Sequence, residues 1–489
     1  MVPFSTTFGS QMRTRSLEEL LLDPVNEDVV CNYASLDAYA TYHLFIALRE
    51  ELLREEALAP TYPTLWEYYV KTELPFTRVL WEMELAGIEL DRQALLDLAP
   101  KIEEKLIKIQ QWFAREMGVM AVNLNSSPQM AKLFFGKLGR TPLSMTAKGA
   151  PQLNQATLNS WSRDGCKYAK KLLQYRELDK KLSTYITNLL SKIHTDKRIH
   201  ASFNQTGART GRLSSSSPNL QNQPPYIRSA YVPRHKCRLF AADYAQLEMR
   251  ILAHFSEDPT LCNAISSGLD VHSSTAAKMF KASYDDIMEA RRKDDADEEL
   301  SDTETELLKY RKGAKAINFG LMYGQGAAKL AATLKVSKQE ARGLIKQYFR
   351  SFPKVTDYFR ETIDKAKDTS YCTTILGRRR QLAGINSPIS GDASQAERMT
   401  KNSPIQGTAA DITKMAMIKI WEDPLITASG ARMVIQVHDE IVFEVPEEYE
   451  SDKEFNERIR ELMAHPFDFD LVVPLETSGK YGDNWLECK

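Results

Sequence analysis

Apolar residues recur at helical spacing over most of this chain, and the pattern predicts a largely helical protein. It predicts helix over residues 17–58 and 61–86, a long Lys- and Glu-rich helix over 91–117, and more helix over 173–190. Residues 335–370 have the pattern of one amphipathic helix. Because short helices and loops separate 91–117 from 173–190, we expect this part of the chain to form a projecting arm and not a compact domain.

Two stretches with the pattern of β-strands end at acidic residues. Residues 238–252 predict a strand that runs into Asp243 and is followed by a helix. Residues 434–445 predict a hairpin with Asp439 and Glu440 at its tip. Carboxylates at strand ends suit a divalent cation. Two plainer alternatives stay open here, since Asp243 could cap the following helix and the hairpin tip could be a solvent-facing turn.

The segment RKGAKAINFGLMYG, residues 311–324, has a distinctive helical face. Arg311, Lys315 and Phe319 lie one turn apart on that face, and Tyr323 comes next along it. Two cations one turn apart can hold a polyphosphate, and the two aromatic rings can lie against a base or a sugar. The alternative is an amphipathic surface helix whose basic side is solvated.

Two further polar segments carry hydrogen-bond donors suited to phosphates and groove edges. The first is a loop without acidic residues over 209–222, for which a solvated loop is the alternative. The second is a helix with an Arg/Asn/Gln row at one-turn spacing. Their candidate side chains are Arg212, Gln221 and Asn222 in the loop, and Arg398, Asn402 and Gln406 in the row.

The net charge narrows the choice of partner very little. Lys+Arg is 64 and Asp+Glu is 65, so any basic surface must be local. An acidic run at 284–306 favours a solvated helix or a flexible insertion.

The six cysteines include no C-x-x-C pair, which argues against a structural zinc site and a disulfide framework and suits a reducing compartment. No apolar run approaches the length of a membrane span. Residues 1–16 lack the apolar core of a secretory signal, and we interpret them as a chance leader or a truncation point.

The two strand-end carboxylates, Asp243 and Asp439, suggest a reaction if the fold brings them together. In one sheet they could hold two Mg²⁺ ions about 4 Å apart. Arg311 and Lys315 would then hold phosphates, and Lys315 could protonate a departing pyrophosphate. This chemistry is nucleotidyl transfer, in which a 3′-hydroxyl attacks the α-phosphorus of a nucleoside triphosphate.

The order of motifs resembles that of the family A DNA polymerases, the bacterial DNA polymerase I type. DYAQLEMR at 243–250 resembles the family's DYSQIELR, 311–324 resembles its second motif, and VHDE at 437–440 its third. Further similar segments are TGRLSS at 210–215, PNLQN at 218–222, DVH at 270–272, GRRR at 377–380, AER at 396–398 and QGTAAD at 406–411.

This resemblance implies an α/β (α+β) fold shaped like a right hand, with an antiparallel palm sheet. The implied divisions are an exonuclease remnant at 1–58, a linker at 59–91, a thumb at 92–195, a palm at 196–255 and 425–489, and fingers at 256–424. The acidic run would lengthen the fingers.

The resemblance also implies a role for individual residues. Asp243, Asp439 and the backbone of Tyr244 would bind metal, with Glu440 in support and Lys315 as a catalytic cation. The residues implied at the incoming dNTP are Gln246, Glu248, His272, Arg311, Lys315, Phe319 and Tyr323. Those implied at the DNA are Arg212, Gln221, Asn222, Arg398, Asn402, Gln406, Gln436 and His438.

The implied cofactor is a pair of Mg²⁺ ions, for which Mn²⁺ is an expected substitute. The implied partners are primer–template DNA, dNTPs and a separate exonuclease or replisome proteins, with no membrane. We expect a monomer in the cytoplasm of a bacterium or a phage-infected host, or in an organelle of a eukaryote.

Two alternatives remain. In a single-subunit RNA polymerase, Glu248 beside Phe319 should clash with a 2′-hydroxyl. An inactive primer–template binding protein would require the loss of a metal ligand, and all are present.

We expect the purified chain to leave a primer 3′ end intact. Tyr33 and Asp37 share a helix face and resemble the family's last exonuclease motif, but no D-x-E pair precedes them. Incubating an end-labelled primer–template with Mg²⁺ and without nucleotides measures this. Mg²⁺-dependent shortening that is lost in Asp37→Ala would contradict the expectation.

Overall fold

The structure is a computed structural model that describes residue 19 and residues 22–55, 61–146 and 149–489. The predicted leader at 1–16 lies outside these residues. Within them, no helix is both long and apolar enough to cross a membrane.

Helices make up most of the described chain, as the apolar spacing predicts. They are α1 (Glu27–Arg54), α2 (Leu65–Tyr68), α3 (Leu74–Ala86), α4 (Arg92–Met117), α5 (Ser127–Ala131), α6 (Gln155–Arg163), α7 (Lys167–Lys180), α8 (Asn188–Leu190), α9 (Pro225–Arg228), α10 (Leu247–Ser256), α11 (Pro259–Ser266), α12 (Val271–Phe280), α13 (Tyr284–Asp295), α14 (Asp302–Met322), α15 (Ala327–Leu334), α16 (Lys338–Ser351), α17 (Pro353–Thr369), α18 (Ser390–Glu422), α19 (Pro424–Ser429) and α20 (Lys453–Ala464). Segments of π-helix at Tyr69–Glu73, Lys132–Lys137 and Lys181–Thr187 join some of them.

The strands are short and pair in antiparallel fashion. They are β1 (Ile88–Leu90), β2 (Arg198–Ile199), β3 (Ser202–Asn204), β4 (Ser214–Ser216), β5 (Tyr231–Val232), β6 (Cys237–Tyr244), β7 (Tyr371–Thr373), β8 (Arg379–Gln381), β9 (Arg432–Val437), β10 (Glu440–Pro446) and β11 (Thr477–Gly482). The largest sheet has the order β11-β6-β10-β9, and a three-stranded sheet has the order β2-β1-β5.

The four-stranded sheet is antiparallel, as predicted. Strands β6 and β10 pair from Cys237 opposite Pro446 to Asp243 opposite Glu440. Phe240 lies directly opposite Phe443, and both side chains are buried. Apolar residues therefore hold the middle of the sheet, and the acidic residues come at its end.

Helices cover this sheet and enclose the main hydrophobic core. The long helix α18 packs against α3, α10 and α20, and α3 also packs against β9. Phe76, Val79 and Met83 of α3 are almost fully buried in that core. Helix α3, which lies within the implied linker at 59–91, thus contributes side chains to the main core.

The segment between 91 and 190, which the sequence predicts to be a projecting arm, has a hydrophobic core of its own. Phe113 on α4, Phe134 and Trp161 are buried together, with the rings of Phe134 and Trp161 stacked at 5.4 Å. The expectation that this arm would not be compact was therefore wrong. The apolar faces of the short helices pack on those of α4 and α7, which a pattern read one helix at a time does not show.

The single helix predicted over 335–370 is two helices in the structure. Helix α16 ends at Ser351 and α17 begins at Pro353. Proline lacks an N–H donor and disfavours helical geometry in the residue before it, and Phe352 has φ −131°. The acidic run is also more ordered than a flexible insertion, since it forms α13 and the first turn of α14.

Candidate active site

Asp243, Asp439 and Glu440 meet at one end of the four-stranded sheet. Asp243 is opposite Glu440 in the β6–β10 pairing, and the N–H of Tyr244 donates to the backbone carbonyl of Asp439 at 3.3 Å. The capping alternative for Asp243 was wrong, because α10 begins after Gln246. The hairpin tip is no simple solvent-facing turn, since the Glu440 side chain is only 3% exposed.

The carboxylates at this sheet end are poorly stabilised as anions. Burial raises the pKa of Asp439 to about 6, with Arg212 opposing the shift and Glu248 and Asp243 adding to it. Burial also raises the pKa of Asp243, and Glu440 adds to that shift while Lys489 opposes it. The protein thus gathers more negative charge here than its own cations neutralise.

Glu440 is neutralised by residues near the end of the chain. The indole N–H of Trp485 donates to Glu440 Oε1 at 2.8 Å, and Lys489 forms an ion pair with Oε2. The motif comparison assigns no role to Trp485 or Lys489. Only the path of the chain after β11, which lies beside β6, brings them to this carboxylate.

The donor set at the sheet end fits a hard divalent cation. The described residues contain no cluster of three or more acidic, His or Cys side chains placed to hold a metal by themselves. Mg²⁺ is usually held by one or two carboxylates and by oxygens of the substrate and water. Asp243 and Asp439, with their raised pKa values, are carboxylates that a bound cation would stabilise as anions.

Glu248 lies next to this sheet end and bridges two predicted site residues. Arg212 Nη2 is 2.5 Å from Glu248 Oε1 and 3.8 Å from Asp439 Oδ1. The hydroxyl of Tyr323 donates to Glu248 Oε2 at 2.5 Å. The loop with Arg212, the helix α10 and the end of α14 therefore converge on one carboxylate.

The basic face of α14 is present as the sequence predicts. The Lys315 side chain is exposed, and the rings of Phe319 and Tyr323 stack at 6.2 Å. Arg311, however, is held by the protein. Its Nε and Nη2 donate to the two oxygens of Asp270 at 3.1 and 3.0 Å, and its Nε also reaches Ser273 Oγ.

Asp270 and His272 stand at the start of α12, facing α14. Although burial alone would raise it, the pKa of Asp270 is held at about 2 by hydrogen bonds from Arg311 and Ser273. Gln246 also donates to Asp270, at 2.9 Å. Burial lowers the pKa of His272 to about 4, so its ring is neutral at pH 7, and its Nδ1 lies 2.9 Å from Asn318 Nδ2.

The Arg/Asn/Gln row lies on α18, against the end of α14. The Arg398 side chain is exposed, and a Cβ on Gly324, which has φ +66°, would come within 2.8 Å of Arg398 Cγ. Asn402 Oδ1 is buried without a hydrogen-bond partner. Gln406 is half-buried on the same face.

The remaining predicted DNA contacts cluster beside the β9–β10 turn. Gln221 Nε2 donates to Gln436 Oε1 at 3.1 Å, and Gln436 Nε2 donates to the carbonyl of His438 at 2.5 Å. His438 and Asn222 are exposed. Arg378 Nη2 donates to the backbone carbonyls of Thr210 and Gly407, so the loop over 209–222 and α18 lie next to each other.

Comparison with known proteins decides the family. Residues 92–487 match the model for DNA polymerase family A. This chain belongs to that family. The chain is 36% identical over 495 residues to DNA polymerase I, thermostable, of Thermus filiformis, which covers 96% of this chain and 56% of the relative. It is 36% identical over 493 residues to DNA polymerase I of Pseudomonas aeruginosa. That alignment covers 99% of this chain and 50% of the relative.

The family A assignment extends to the fold. The solved POL domain of Pol1 from M. smegmatis, in complex with DNA primer-template and dNTP, has a TM-score of 0.75 and 36% identity, over 86% of this chain and 70% of that one. The chain thus has the polymerase α/β fold that its motifs imply. It spans about half the length of the curated relatives it matches.

Within this family A chain, the motifs assigned no role to several residues at the site, although Asp270 lies in the matching DVH segment. Asp270 holds Arg311, and Trp485 and Lys489 hold Glu440. A signal existed for Asp270, since an Asp that precedes a helical pattern is a typical N-cap, and its carboxylate does accept from the N–H of Ser273. No local pattern identifies Trp485 or Lys489.

The raised pKa of Asp439 predicts a pH-dependent stability in metal-free protein. The pKa is about 6 in the folded state against 3.8 ordinarily, so ionisation disfavours folding. The contribution of Asp439 to the free energy of unfolding is fully present below about pH 4 and is lost as pH rises through 6. With a chelator present, Asp439→Asn should therefore melt at a higher temperature than the original protein at pH 8, and the difference should shrink below pH 6.

Thermal unfolding followed from pH 4.5 to 8 checks this. Added Mg²⁺ should raise the midpoint of the original protein at pH 8 and change that of Asp439→Asn much less. A pH-independent difference, or a lower midpoint for Asp439→Asn at pH 8, would contradict the assignment.

Proposed function

We propose that this chain is a DNA-directed DNA polymerase, which adds dNTPs to a primer 3′-hydroxyl along a template and releases pyrophosphate. The observation that carries the proposal is the meeting of Asp243 and Asp439 at one sheet end, close to Glu248 and to α14. The likeness to the M. smegmatis domain, whose structure contains primer-template and dNTP, supports it.

Asp243 and Asp439 would hold two Mg²⁺ ions, with the backbone carbonyl of Tyr244 as a further oxygen ligand. When bound, the metal ions lower the pKa of the attacking hydroxyl and stabilise the charge on the leaving oxygen. Glu440, which lies opposite Asp243 in the sheet, would support the two aspartates. Its ion pair with Lys489 and its hydrogen bond from Trp485 keep this third carboxylate neutralised and fixed.

The face of α14 would bind the triphosphate. Arg311 and Lys315 supply positive charge one turn apart, and Lys315 is the exposed ammonium that can give a proton to the departing pyrophosphate. His272 is neutral and can donate a hydrogen bond to a phosphate oxygen from its second ring nitrogen. Gln246 donates a hydrogen bond to Asp270 and would belong to the same set of triphosphate-binding residues.

The sugar of the dNTP would lie between Glu248 and Phe319. A carboxylate fixed by Arg212 and Tyr323 cannot easily move aside for a 2′-hydroxyl, so a ribonucleotide would be excluded. Tyr323, at the end of α14, would stack in the template position. We expect α14 to close over a correct base pair, so that selectivity depends on this helix.

The DNA would lie along the polar side formed by α18 and the β9–β10 turn. Asn402 has an unpaired buried oxygen there, and Arg398, Asn222 and His438 expose donors. The other proposed contacts at this side are Arg212, Gln221, Gln406 and Gln436. Such side chains read the shape of the minor groove and hold phosphates with little dependence on sequence.

The division into a thumb at 92–195, palm at 196–255 and 425–489, and fingers at 256–424 is part of the proposal, as is the exonuclease remnant at 1–58. So are a monomeric state, a cytoplasmic or organellar location, and a separate exonuclease or replisome partner. The arm with its own core supports the thumb assignment.

Removing one carboxylate tests the function directly. Asp439→Ala should reduce primer extension by a factor on the order of 10³ or more, because a metal ligand is lost. Binding of labelled primer–template should change little. Asp468→Ala, which removes a carboxylate that is 92% exposed, is the matched control and should extend normally. Near-normal extension by Asp439→Ala would refute the metal assignment.

Sugar discrimination separates a DNA polymerase from the single-subunit RNA polymerase alternative. The original protein should incorporate deoxynucleotides far better than ribonucleotides, and Glu248→Ala should raise the ribonucleotide-to-deoxynucleotide ratio by about tenfold or more. Glu454→Ala, at an exposed position of α20, is the control. Equal use of both sugars by the original protein would favour the RNA polymerase.

A further inference from the structure

Two arginines from different helices share the carboxylate of Asp270. Arg311 of α14 binds both of its oxygens, at 3.1 and 3.0 Å. Arg291 of α13 also contacts Asp270 Oδ2, with Nη1 at 3.4 Å. The carboxylate is thus the common partner of a proposed triphosphate ligand and of an arginine that the motif comparison does not include.

Breaking the ion pair between Asp270 and Arg311 costs free energy. Its side chain is only 7% exposed, and hydrogen bonds from Arg311 and Ser273 keep it ionised. If Arg311 turned toward a triphosphate, a buried anion would lose its two-point ion pair. Unless another cation remained beside Asp270, that cost would weaken the binding of the nucleotide.

Helix α13, which carries Arg291, is packed against both α12 and α14. Ile287 of α13 is fully buried against Ala276 of α12 and Ala314 of α14. The hydroxyl of Tyr284, the first residue of α13, accepts from the backbone N–H of Asp270 at 3.0 Å. The acidic run therefore includes a packed helix, α13, whose first residue is hydrogen-bonded to the backbone of Asp270.

We propose that Arg291 is a positioning residue for nucleotide binding. It stays paired with the Asp270 carboxylate, so that this carboxylate remains ionised while Arg311 leaves to bind the triphosphate. This inference rests on the proposed function and deepens it. Arg291 competes with Arg311 for the same oxygen in the free protein, which weakens the pair that must break. In the bound state Arg291 and Gln246 remain on Asp270.

The neighbouring Arg292 provides a matched control. It has the same charge on the same helix, but it pairs with Glu289 and Glu298, and all three side chains are about half exposed. A general effect of positive charge on α13 would be similar for both arginines. An effect that acts through Asp270 belongs to Arg291 alone.

The test is single-nucleotide primer extension, with the inhibition constant of pyrophosphate measured alongside. Arg291→Ala should raise the KM for the dNTP and the pyrophosphate inhibition constant together, by about three- to fivefold, as for loss of a single ion pair whose arginine is 38% exposed. The kcat and the affinity for primer–template should stay within about twofold. Arg292→Ala should match the original protein, and Arg291→Lys should recover most of the loss.

The coupling to Asp270 is measured in a second background. Asp270→Asn removes the charge, and Asn can still cap α12. In Asp270→Asn protein, adding Arg291→Ala should leave KM unchanged. A threefold or greater rise of KM in that background would overturn the proposal, since Arg291 would then act by its long-range field.

Arg311→Ala separates failure of this inference from failure of the proposed function. If Arg311→Ala leaves KM unchanged, the triphosphate clamp is wrong and the inference fails with it. If Arg311→Ala raises KM but Arg291→Ala does not, only the inference is wrong. Parallel losses of kcat, DNA binding and thermal midpoint in both Arg291→Ala and Arg291→Lys would show a purely structural residue and also overturn it.

Discussion

The pairing register of β6 with β10 is the constraint on which the candidate active site depends. A shift by one residue would turn Asp243 to the opposite face of the sheet and separate it from Glu440. The register is held by buried residues such as Phe240 opposite Phe443, which lie away from the chemistry. Apolar packing in the middle of the sheet thus determines where the carboxylates meet.

That meeting concentrates negative charge, and the fold distributes its cations unevenly around it. Glu440 has Lys489 and Trp485, and Glu248 has Arg212, but Asp243 and Asp439 keep raised pKa values. An external cation can relieve that repulsion at the two aspartates more than at the two glutamates. The proposal of a metal site at this place rests on which carboxylates the protein leaves poorly neutralised.

Two side chains of α14 that are proposed to face the substrate form hydrogen bonds within the protein. Arg311 is held by Asp270, and Tyr323 by Glu248. In the proposed function, nucleotide binding would therefore be an exchange of partners, and its free energy would be the difference between two sets of contacts. On this proposal, residues that hold the released partners, such as Arg291, would contribute to affinity without touching the nucleotide.

The sequence by itself determined the long helices, the strand that ends at Asp243, the hairpin that carries Asp439, and the basic face of α14, because each depends on the periodicity of neighbouring residues. Its ordered motifs also indicated the family. Tertiary structure alone decided the core of the arm and the partners of the site residues. Lys489 at Glu440, and Arg291 with Arg311 at Asp270, are contacts between distant segments. No local spacing encodes such contacts, because they arise only when separate apolar faces pack and carry their charged residues together.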